Sequence, residues 1–421
     1  MKKKSSFRSF LKTIGPGFLL AGAAIGVSHL VQATRAGADY GFILLWVLIL
    51  ACITKYPFLE FGPRYAAGTG DHLVTGYRKL GKIPYRLFSL ITVGSMFIIQ
   101  AAVTIVTAGL SEKLFQMGWS IFTWSFVILG ICIALLLIGK YPALDKTMKI
   151  IVSLLGLATL TAVFLAFGDG RMENALSQEI PEIWNKAGIA FIISFMGWMP
   201  IPLDASVWHS FWTKEKGLEN KKRTSIKEAF TDFNIGYFAA AIIGLLFFLM
   251  GVLIMFGSGT EFSGNAVAFS AQLIDLYGSS LGSWSKPLIA VAALIAMFST
   301  TLAVTDAFPR VISELFMENK ATKKIASKWK IYRFHIFLIP ALSLLILYFF
   351  TASFTVLVDF ATALSFLSAP IIAWFNYKLV TGDHMKQADR PGKPYRIFSL
   401  ICLFILMIFN VAYLLSIFNI L

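Results

Sequence analysis

The sequence predicts an all-α membrane protein with eleven transmembrane helices, and three observations lead to that prediction. Hydrophobic residues make up 57% of the 421 residues and charged residues only 14%, whereas soluble domains carry about 25% charged residues. Several apolar runs are about 20 residues long, the length at which a helix crosses the hydrocarbon core. These runs are continuously apolar rather than alternating, which excludes a closed barrel.

The spans divide the chain into two five-helix halves and one extra helix, with no soluble domain between them. We treat residues 1–421 as one transmembrane domain, with an arm at 1–14, halves at 15–167 and 187–379, and the extra helix at 396–419. The predicted spans are 15–36, 41–66, 86–110, 120–138, 147–167, 187–212, 230–257, 287–308, 331–351, 354–379 and 396–419.

The basic residues predict the orientation of these spans. With the N-terminus in the cytoplasm, 30 of the 37 Lys and Arg residues fall in cytoplasmic segments and four in external ones. This is a strong positive-inside bias, and it places the C-terminus outside a cell membrane. The net charge of +15 is spread over short loops, so a nucleic-acid partner is not expected. Cys52, Cys132 and Cys402 lie in apolar segments without disulfide or zinc spacing.

Two of the spans contain features that interrupt a helix. The first is rich in small residues from Gly22 to His29, and the sixth carries Pro200 and Pro202 before Asp204. Two prolines this close should unwind a helix, and non-helical backbone at membrane depth survives only where it is buried or lines a cavity. Interrupted helices at corresponding positions of two halves are typical of a transporter's substrate site.

These segments resemble the Nramp (natural-resistance-associated macrophage protein) family of proton-coupled divalent metal transporters. The clearest stretch is GPGFLLAGAAIGVSHLVQATRAGADYGFILLWVL, and the His209-Ser210 pair matches a His-Ser pair of the family's sixth helix. The resemblance runs from Gly15 to about residue 380. It implies the leucine-transporter fold, with two inverted five-helix repeats plus one helix, and helices 1 and 6 broken at midplane.

The metal chemistry of the family does not carry over with the fold. The metal-binding Asp-Pro-Gly-Asn of the first helix is replaced here by Gly26, Val27, Ser28 and His29. The family's Met-Pro-His of the sixth helix aligns with Pro202, Leu203 and Asp204; keeping Met199-Pro200 instead requires an insertion. Two proton-carrying acids of the third helix fall at Gln100 and Val103.

The altered site predicts a small inorganic anion such as bicarbonate as the substrate, held by the amides of the interrupted helices. The candidate binding residues are Gly26, Val27, Ser28, His29, Pro202, Leu203, Asp204, Ala205 and Ser206. One alternative is a divalent cation (Mn²⁺, Fe²⁺ or Mg²⁺) bound by His29 and Asp204, and a second is an ion channel. Asp204 as a helix N-cap and His29 as a packing residue also remain open.

An anion carrier in a negative-inside cell needs a coupling ion, and sodium is the candidate. The eighth span offers Ser299, Thr300, Thr301 and Asp306 as oxygen ligands, although Ser and Thr side chains also bond back to their own helix. No organic cofactor is expected. No catalytic motif is present, so the sequence predicts a transporter in the bilayer rather than an enzyme. The transporter is expected to be a monomer.

Several charged residues fall within or beside the spans. Arg35 with Asp39, and Glu60 with Arg64, have the i,i+4 spacing of helix-surface pairs. Lys55 lies deep in a span and either snorkels or pairs with an acid. Asp359 is deep enough to be functional by default, with no partner readable from the sequence.

Overall fold

Helices form all the regular secondary structure that the structure describes. This computed structural model describes residues 15–139, 141–316, 324–350 and 353–418. The α-helices in these residues are α1 (Pro16–Ala24), α2 (Thr34–Tyr40), α3 (Leu45–Thr69), α4 (Leu73–Leu80), α5 (Lys82–Phe115), α6 (Ile121–Ile138), α7 (Tyr141–Gly168), α8 (Arg171–Ser177), α9 (Lys186–Trp198), α10 (Ala205–Glu219), α11 (Ile226–Met250), α12 (Ala266–Leu281), α13 (Ser285–Leu315), α14 (Lys324–Phe349), α15 (Phe354–Thr381) and α16 (Lys393–Ile417).

Length and composition mark most of these helices as membrane spans. Eight helical segments in the described ranges are long and apolar enough to cross a bilayer, or nine if α8 and the end of α7, bent by 74°, form one span. Helix occupies part of each of the eleven predicted ranges, but the halves of the sixth span, α9 and α10, are each too short to count alone. The chain is therefore a multi-pass membrane protein, and the count of eleven stays a prediction.

Three helices, α4, α8 and α12, lie in segments that were predicted to be loops. Helix α12 lies between the seventh and eighth predicted spans, and the Asn265 side chain caps it by accepting from the amides of Val267 and Ala268. Phe269 and Tyr277 are buried in its inner face. Its amphipathic pattern packs one face on the helix bundle without crossing it.

Glycines bring the first span against α11 and against the π-helical turn Gly251–Met255 that follows it. A Cβ atom on Gly17 would collide with the Asp232 carbonyl, and one on Gly236 with the Gly17 carbonyl. Further along, a Cβ on Gly251 would collide with the Thr34 carbonyl. Small residues let helix backbones approach this closely in membranes. The backbones of the first span and α11 are therefore packed in direct contact.

The sixth span is held between α3 and α15 by similar contacts. A Cβ atom on Gly62 of α3 would collide with the Ser206 carbonyl, and one on Gly197 would collide with the Thr362 carbonyl. These contacts fix both halves of the span, α9 and α10. The two interrupted spans thus lie side by side in the protein core.

Candidate substrate site

The first span is interrupted where its small residues predict. Helix α1 ends at Ala24, and the chain resumes as a π-helix over Ser28–Ala33 that leads into α2. The carbonyl of Gly26 accepts from the amides of His29 and Leu30, at 3.1 and 2.9 Å. A side chain on Gly26 would collide with Thr300 Oγ1, so the turn requires a glycine at this position.

The side chains after this break contact protein groups. Ser28 Oγ lies 2.6 Å from the Ala24 carbonyl and 2.8 Å from His29 Nδ1. His29 Nε2 lies 2.8 Å from the Ala240 carbonyl and must donate, because a carbonyl only accepts. His29 is fully buried. Both ring nitrogens are therefore engaged within the protein, which is the geometry of a packing histidine.

The sixth span is interrupted between Trp198 and Ala205, at the two prolines. The Met199–Pro200 peptide bond is cis. The Pro200 carbonyl lies 3.4 Å from Ser28 Oγ, so the two breaks are adjacent. Asp204 stands at the N-cap position of α10, but its side chain makes no capping hydrogen bond. The interpretation of Asp204 as a side-chain N-cap is therefore not met in this conformation.

Backbone amides at both breaks are left without protein acceptors. The amides of Ala205 and Ser206 donate to the carbonyls of Pro202 and Leu203, and Ser206 Oγ donates to the Leu203 carbonyl. Within the described residues, no acceptor is found for the amides of Val27, Ser28 and Leu203. Each lies where a half-helix begins, at the positive end of its dipole.

The side chain of Lys55 extends from α3 to the second break. It is fully buried, and Nζ donates to the carbonyls of Gly197 at 2.8 Å and Ile201 at 3.3 Å. These carbonyls belong to the end of α9 and the interrupted segment, where the helix dipole is negative. The sequence analysis expected a snorkelling side chain or an acidic partner, and the direct partners are carbonyl oxygens.

The chain matches the family model "Natural resistance-associated macrophage protein-like" over residues 17–416. The chain belongs to the Nramp family. An uncharacterized Pasteurella multocida protein is 34% identical over 385 residues, covering 91% of this chain and 88% of that protein. The Arabidopsis thaliana metal transporter Nramp6 is 23% identical, covering 72% of this chain and 59% of its own length. The chain thus spans little more than half of that plant relative.

Solved structures show the fold of this Nramp-family protein. The Eremococcus coleocola manganese transporter superposes with a TM-score of 0.72 at 14% identity, covering 98% of this chain and 88% of that one. MhsT in complex with L-phenylalanine superposes with a TM-score of 0.66 at 17% identity, covering 95% and 98%. The predicted leucine-transporter fold is therefore confirmed, as is membership of the family.

Only two of the four coupling-ion candidates of this Nramp-family protein lie at the first break. Thr300 Oγ1 is 3.4 Å from the Gly22 carbonyl. Ser299 Oγ lies beside the same residue, 3.7 Å from the position that a Cβ atom on Gly22 would take. Thr301 Oγ1 instead lies 2.7 Å from Thr107 Oγ1 of α5. Asp306 contacts Arg310 and Tyr332, at 2.6 Å each. The structure therefore separates Thr301 and Asp306 from the break.

Asp359 finds its partner in Arg35, on the second half of the first span. The guanidinium meets the carboxylate at 2.8 and 3.2 Å. The expected pairing of Arg35 with Asp39 is wrong, because the side chain of Arg35 turns toward α15. The pairing of Glu60 with Arg64 is confirmed, at 2.8 and 2.9 Å.

Two further residues named in the sequence analysis are buried near polar groups. Gln100 is hydrogen-bonded to Thr104 and Thr305 at 3.3 Å each. His209 has both ring nitrogens buried without a hydrogen bond, and its Nε2 lies 3.9 Å from Asp232 Oδ2. No group of three or more His, Cys, Asp or Glu side chains suited to a metal ion occurs in the part of the chain that was described.

Proposed function

We propose that this Nramp-family transporter carries a small oxyanion, with bicarbonate as the model substrate, and that the two helix breaks bind it. The observation that carries the proposal is the buried ammonium of Lys55 on the carbonyls of Gly197 and Ile201. In its protonated form this side chain places a positive charge beside the site, which favours an anion. It also occupies carbonyl oxygens that a bound cation would need as ligands.

Electrostatics weighs against a divalent cation beside this lysine. A protonated Lys55 would repel a divalent ion bound at the second break, because like charges repel strongly in a low-dielectric interior. Among the residues of the two breaks, 25–29 and 199–204, Asp204 alone carries a carboxylate, and one carboxylate does not balance a divalent ion beside a protonated lysine. Desolvation of a divalent ion then goes uncompensated.

The backbone at the breaks provides donors suited to an oxyanion. The amides of Val27, Ser28 and Leu203 have no acceptor in the described residues, and helix N-termini bind anions through such groups. The side chains of Ser28 and His29 are engaged with Ala24 and Ala240. We therefore assign binding to the amides, with Ser28 and His29 fixing the shape of the turn.

Divalent metal transport is the second candidate, and the relatives favour it. The Arabidopsis thaliana protein is named a metal transporter, and the fold matches a manganese transporter. In this chain a metal would have to use Asp204 and backbone carbonyls. That set lacks the additional carboxylate or thiolate ligands that offset the desolvation of a divalent ion.

Sodium coupling is proposed from the geometry beside the first break. Moving one negative charge into a cell at 100 mV, negative inside, costs about 2.3 kcal/mol. Thr300 Oγ1 and the Gly22 carbonyl lie 3.4 Å apart, with Ser299 near the same turn. These oxygens supply part of a sodium shell. We further propose that the N-terminus is cytoplasmic and that the protein acts as a carrier in the cell membrane.

Uptake into proteoliposomes tests the proposal directly. Radiolabelled bicarbonate and radiolabelled manganese are each supplied to the purified full-length protein, with sodium or choline outside. The expected result is saturable bicarbonate uptake that requires sodium, with manganese uptake at the level of empty vesicles. Manganese uptake without bicarbonate uptake would replace the anion with the metal, and unsaturable flux without trans-stimulation would indicate a channel.

A further inference from the structure

A basic cavity lies at the predicted cytoplasmic end of the molecule, away from the helix breaks. It has a volume of about 430 Å³ and lies between the ends of α3 and α10 and the loop that leads into α11. Four cationic side chains line it, and no acidic side chain does. These are Lys214, Lys221, Lys222 and Arg223.

The positive charge of this cavity is only weakly neutralised by its surroundings. Lys214 lies 3.8 Å from Asp71, which makes a shorter contact of 2.7 Å with Lys79. Lys222 lies 3.8 Å from Glu228 and is 76% exposed. Such loose surface pairs contribute little. Lys221 and Arg223 form no ion pair with an acidic side chain of the described residues.

Arg223 is oriented by the backbone rather than by an acid. Its Nε donates to the Ala67 carbonyl at 2.7 Å, at the end of α3. This bond fixes the plane of the guanidinium and leaves the terminal nitrogens as donors. A planar guanidinium held in this way suits two-point binding of a phosphate or carboxylate group.

Thr213 gives an independent sign of a ligand. It lines the same cavity and is 3% exposed, and its Oγ1 is buried without a hydrogen-bond partner in the described part of the chain. Buried hydroxyl groups nearly always have a partner, because leaving one unpaired costs about 1–3 kcal/mol. A bound oxyanion would accept the missing hydrogen bond.

We propose that this cavity binds a phosphate group, supplied by the headgroup of an anionic lipid. All the charged groups that line it are donors, which matches a ligand with acceptors on every side. Basic pockets at the cytoplasmic ends of membrane helices recognise lipid headgroups in this way. A phosphate held by Thr213, Arg223 and Lys221 would tie the end of α10 to the end of α3, so lipid would stabilise that half of the interrupted span.

Lipid-dependent thermal stability of the full-length protein tests this site. The protein is placed in phosphatidylcholine nanodiscs with or without phosphatidylglycerol, and separately with inorganic phosphate. Each variant is scored by the shift in Tm that the additive causes, so an altered basal Tm does not affect the reading. The variants are the pair Lys221→Gln with Arg223→Gln, and Thr213→Val alone. The matched control is the pair Lys386→Gln with Lys393→Gln, exposed basic residues outside the cavity.

Phosphatidylglycerol is expected to raise the Tm of the wild type and the control, and to raise the Tm of both cavity variants much less. Each removed charge should weaken lipid binding about fivefold, so the double variant should bind roughly 25-fold more weakly. A shift produced by phosphate alone would keep the site and make its ligand a soluble phosphate. Equal phosphatidylglycerol shifts in the cavity variants and the control would overturn the proposal, as would no shift in the wild type with either additive.

Discussion

Arg35 and Asp359 form a two-point ion pair that joins the second half of the first span to α15, at 2.8 and 3.2 Å. Gln32 and Ser194 add hydrogen bonds of 3.0 Å each to the same carboxylate oxygen. Gln32 Oε1 also accepts from Arg35, at 2.9 Å. The network therefore ties both interrupted spans to the tenth span, at the predicted outer end. We expect this network to hold the three spans together on this side of the site.

The strength of this pair is the first prediction. The side chains of Arg35 and Asp359 are only 11% and 32% exposed, so screening by water is partial. A double-mutant cycle of Arg35→Gln and Asp359→Asn should give a coupling energy of about 1–2 kcal/mol, between the ranges for exposed and buried pairs. The matched control is the exposed Lys286–Asp275 pair at 2.7 Å. A coupling no larger than that of the control pair would show that the Arg35–Asp359 pair does not hold these spans together.

Removing the charge of Lys55 is the second prediction. Lys55→Met keeps a long unbranched side chain but leaves the Gly197 and Ile201 carbonyls without their donor. Bicarbonate uptake should therefore fall at least tenfold, which corresponds to the loss of roughly one charge-assisted hydrogen bond. Lys393→Met, an exposed lysine, should leave uptake unchanged. The measurement is proteoliposome flux at equal protein density.

The same variant separates the two candidate substrates. If the site holds a divalent cation, Lys55→Met removes a repelling charge and should increase manganese uptake. If it holds an anion, manganese uptake stays at background. Increased manganese uptake together with unchanged bicarbonate flux would contradict the role proposed for Lys55.

Asp232 of α11 caps the start of α1, and this gives the third prediction. Its carboxylate accepts from the amides of Gly15 at 2.9 Å and Gly17 at 2.6 Å, while the N-cap residue Gly15 has no side chain to do so. Asp232→Ala should destabilise the docked α1 by about 1–3 kcal/mol. Hydrogen exchange of a peptide covering 15–24 should then be about 10- to 100-fold faster.

The matched control for Asp232 is Asp383→Ala, an exposed acid, which should leave that peptide unchanged. Asp232→Asn keeps one acceptor oxygen and should give an intermediate rate. If the α1 peptide exchanges at the wild-type rate in Asp232→Ala, the carboxylate does not hold the helix.

His72 supplies the pH dependence of the fourth prediction. It lies in the loop between α3 and α4, stacked on Phe211 at 4.2 Å between ring centroids. Burial lowers the pKa of His72; Glu314 opposes this shift, and Lys214 and Lys328 add to it. Because the folded-state pKa lies below the value of about 6.5 in an unfolded chain, protonation favours unfolding. The stabilising contribution is full above that value and declines as the pH falls toward the folded-state pKa.

Between about pH 7.5 and about pH 5.5 the Tm of the wild type should therefore fall more than the Tm of His72→Gln. Only the histidine takes up a proton on unfolding in this range, so only the wild type loses its stabilising contribution. His384→Gln changes an exposed histidine and should follow the wild type. Parallel pH profiles for the wild type and His72→Gln would show that His72 does not titrate against folding.

Local sequence was enough to place the helix breaks but not their partners. Pro200 and Pro202 remove amide donors, so they specify where the sixth span unwinds. The contact of Lys55 with Gly197 joins residues 142 positions apart, and no periodicity in one sequence encodes it. The predicted pairing of Arg35 with Asp39 failed for the same reason. The i,i+4 spacing identifies a neighbour on the same helix, but it gives no information about the competing carboxylate of Asp359 on α15.

Helix geometry limits which of the coupling-ion candidates can lie together. Successive residues on an α-helix point about 100° apart, so Ser299 and Thr301 of α13 point about 200° apart, and the three hydroxyls of residues 299–301 could not all face the first break. Thr300 faces Gly22 and Thr301 faces Thr107 of α5. Helical rotation therefore separates Thr301 from Ser299, whereas Asp306 is separated from Ser299 by its position about two turns further along α13.

The adjacency of Thr300 and Thr301 gives the fifth prediction its matched control. Thr300→Val removes an oxygen beside the first break and keeps the shape of the side chain, so the sodium concentration for half-maximal uptake should rise about tenfold, the cost of roughly one hydrogen-bonding ligand. Thr301→Val removes a hydroxyl of the same kind, one residue away and equally within α13. It should lower stability without changing sodium dependence, because its partner is Thr107. Equal sodium dependence in both variants would remove Thr300 from the coupling site. A shift in Thr301→Val alone would move the site toward α5.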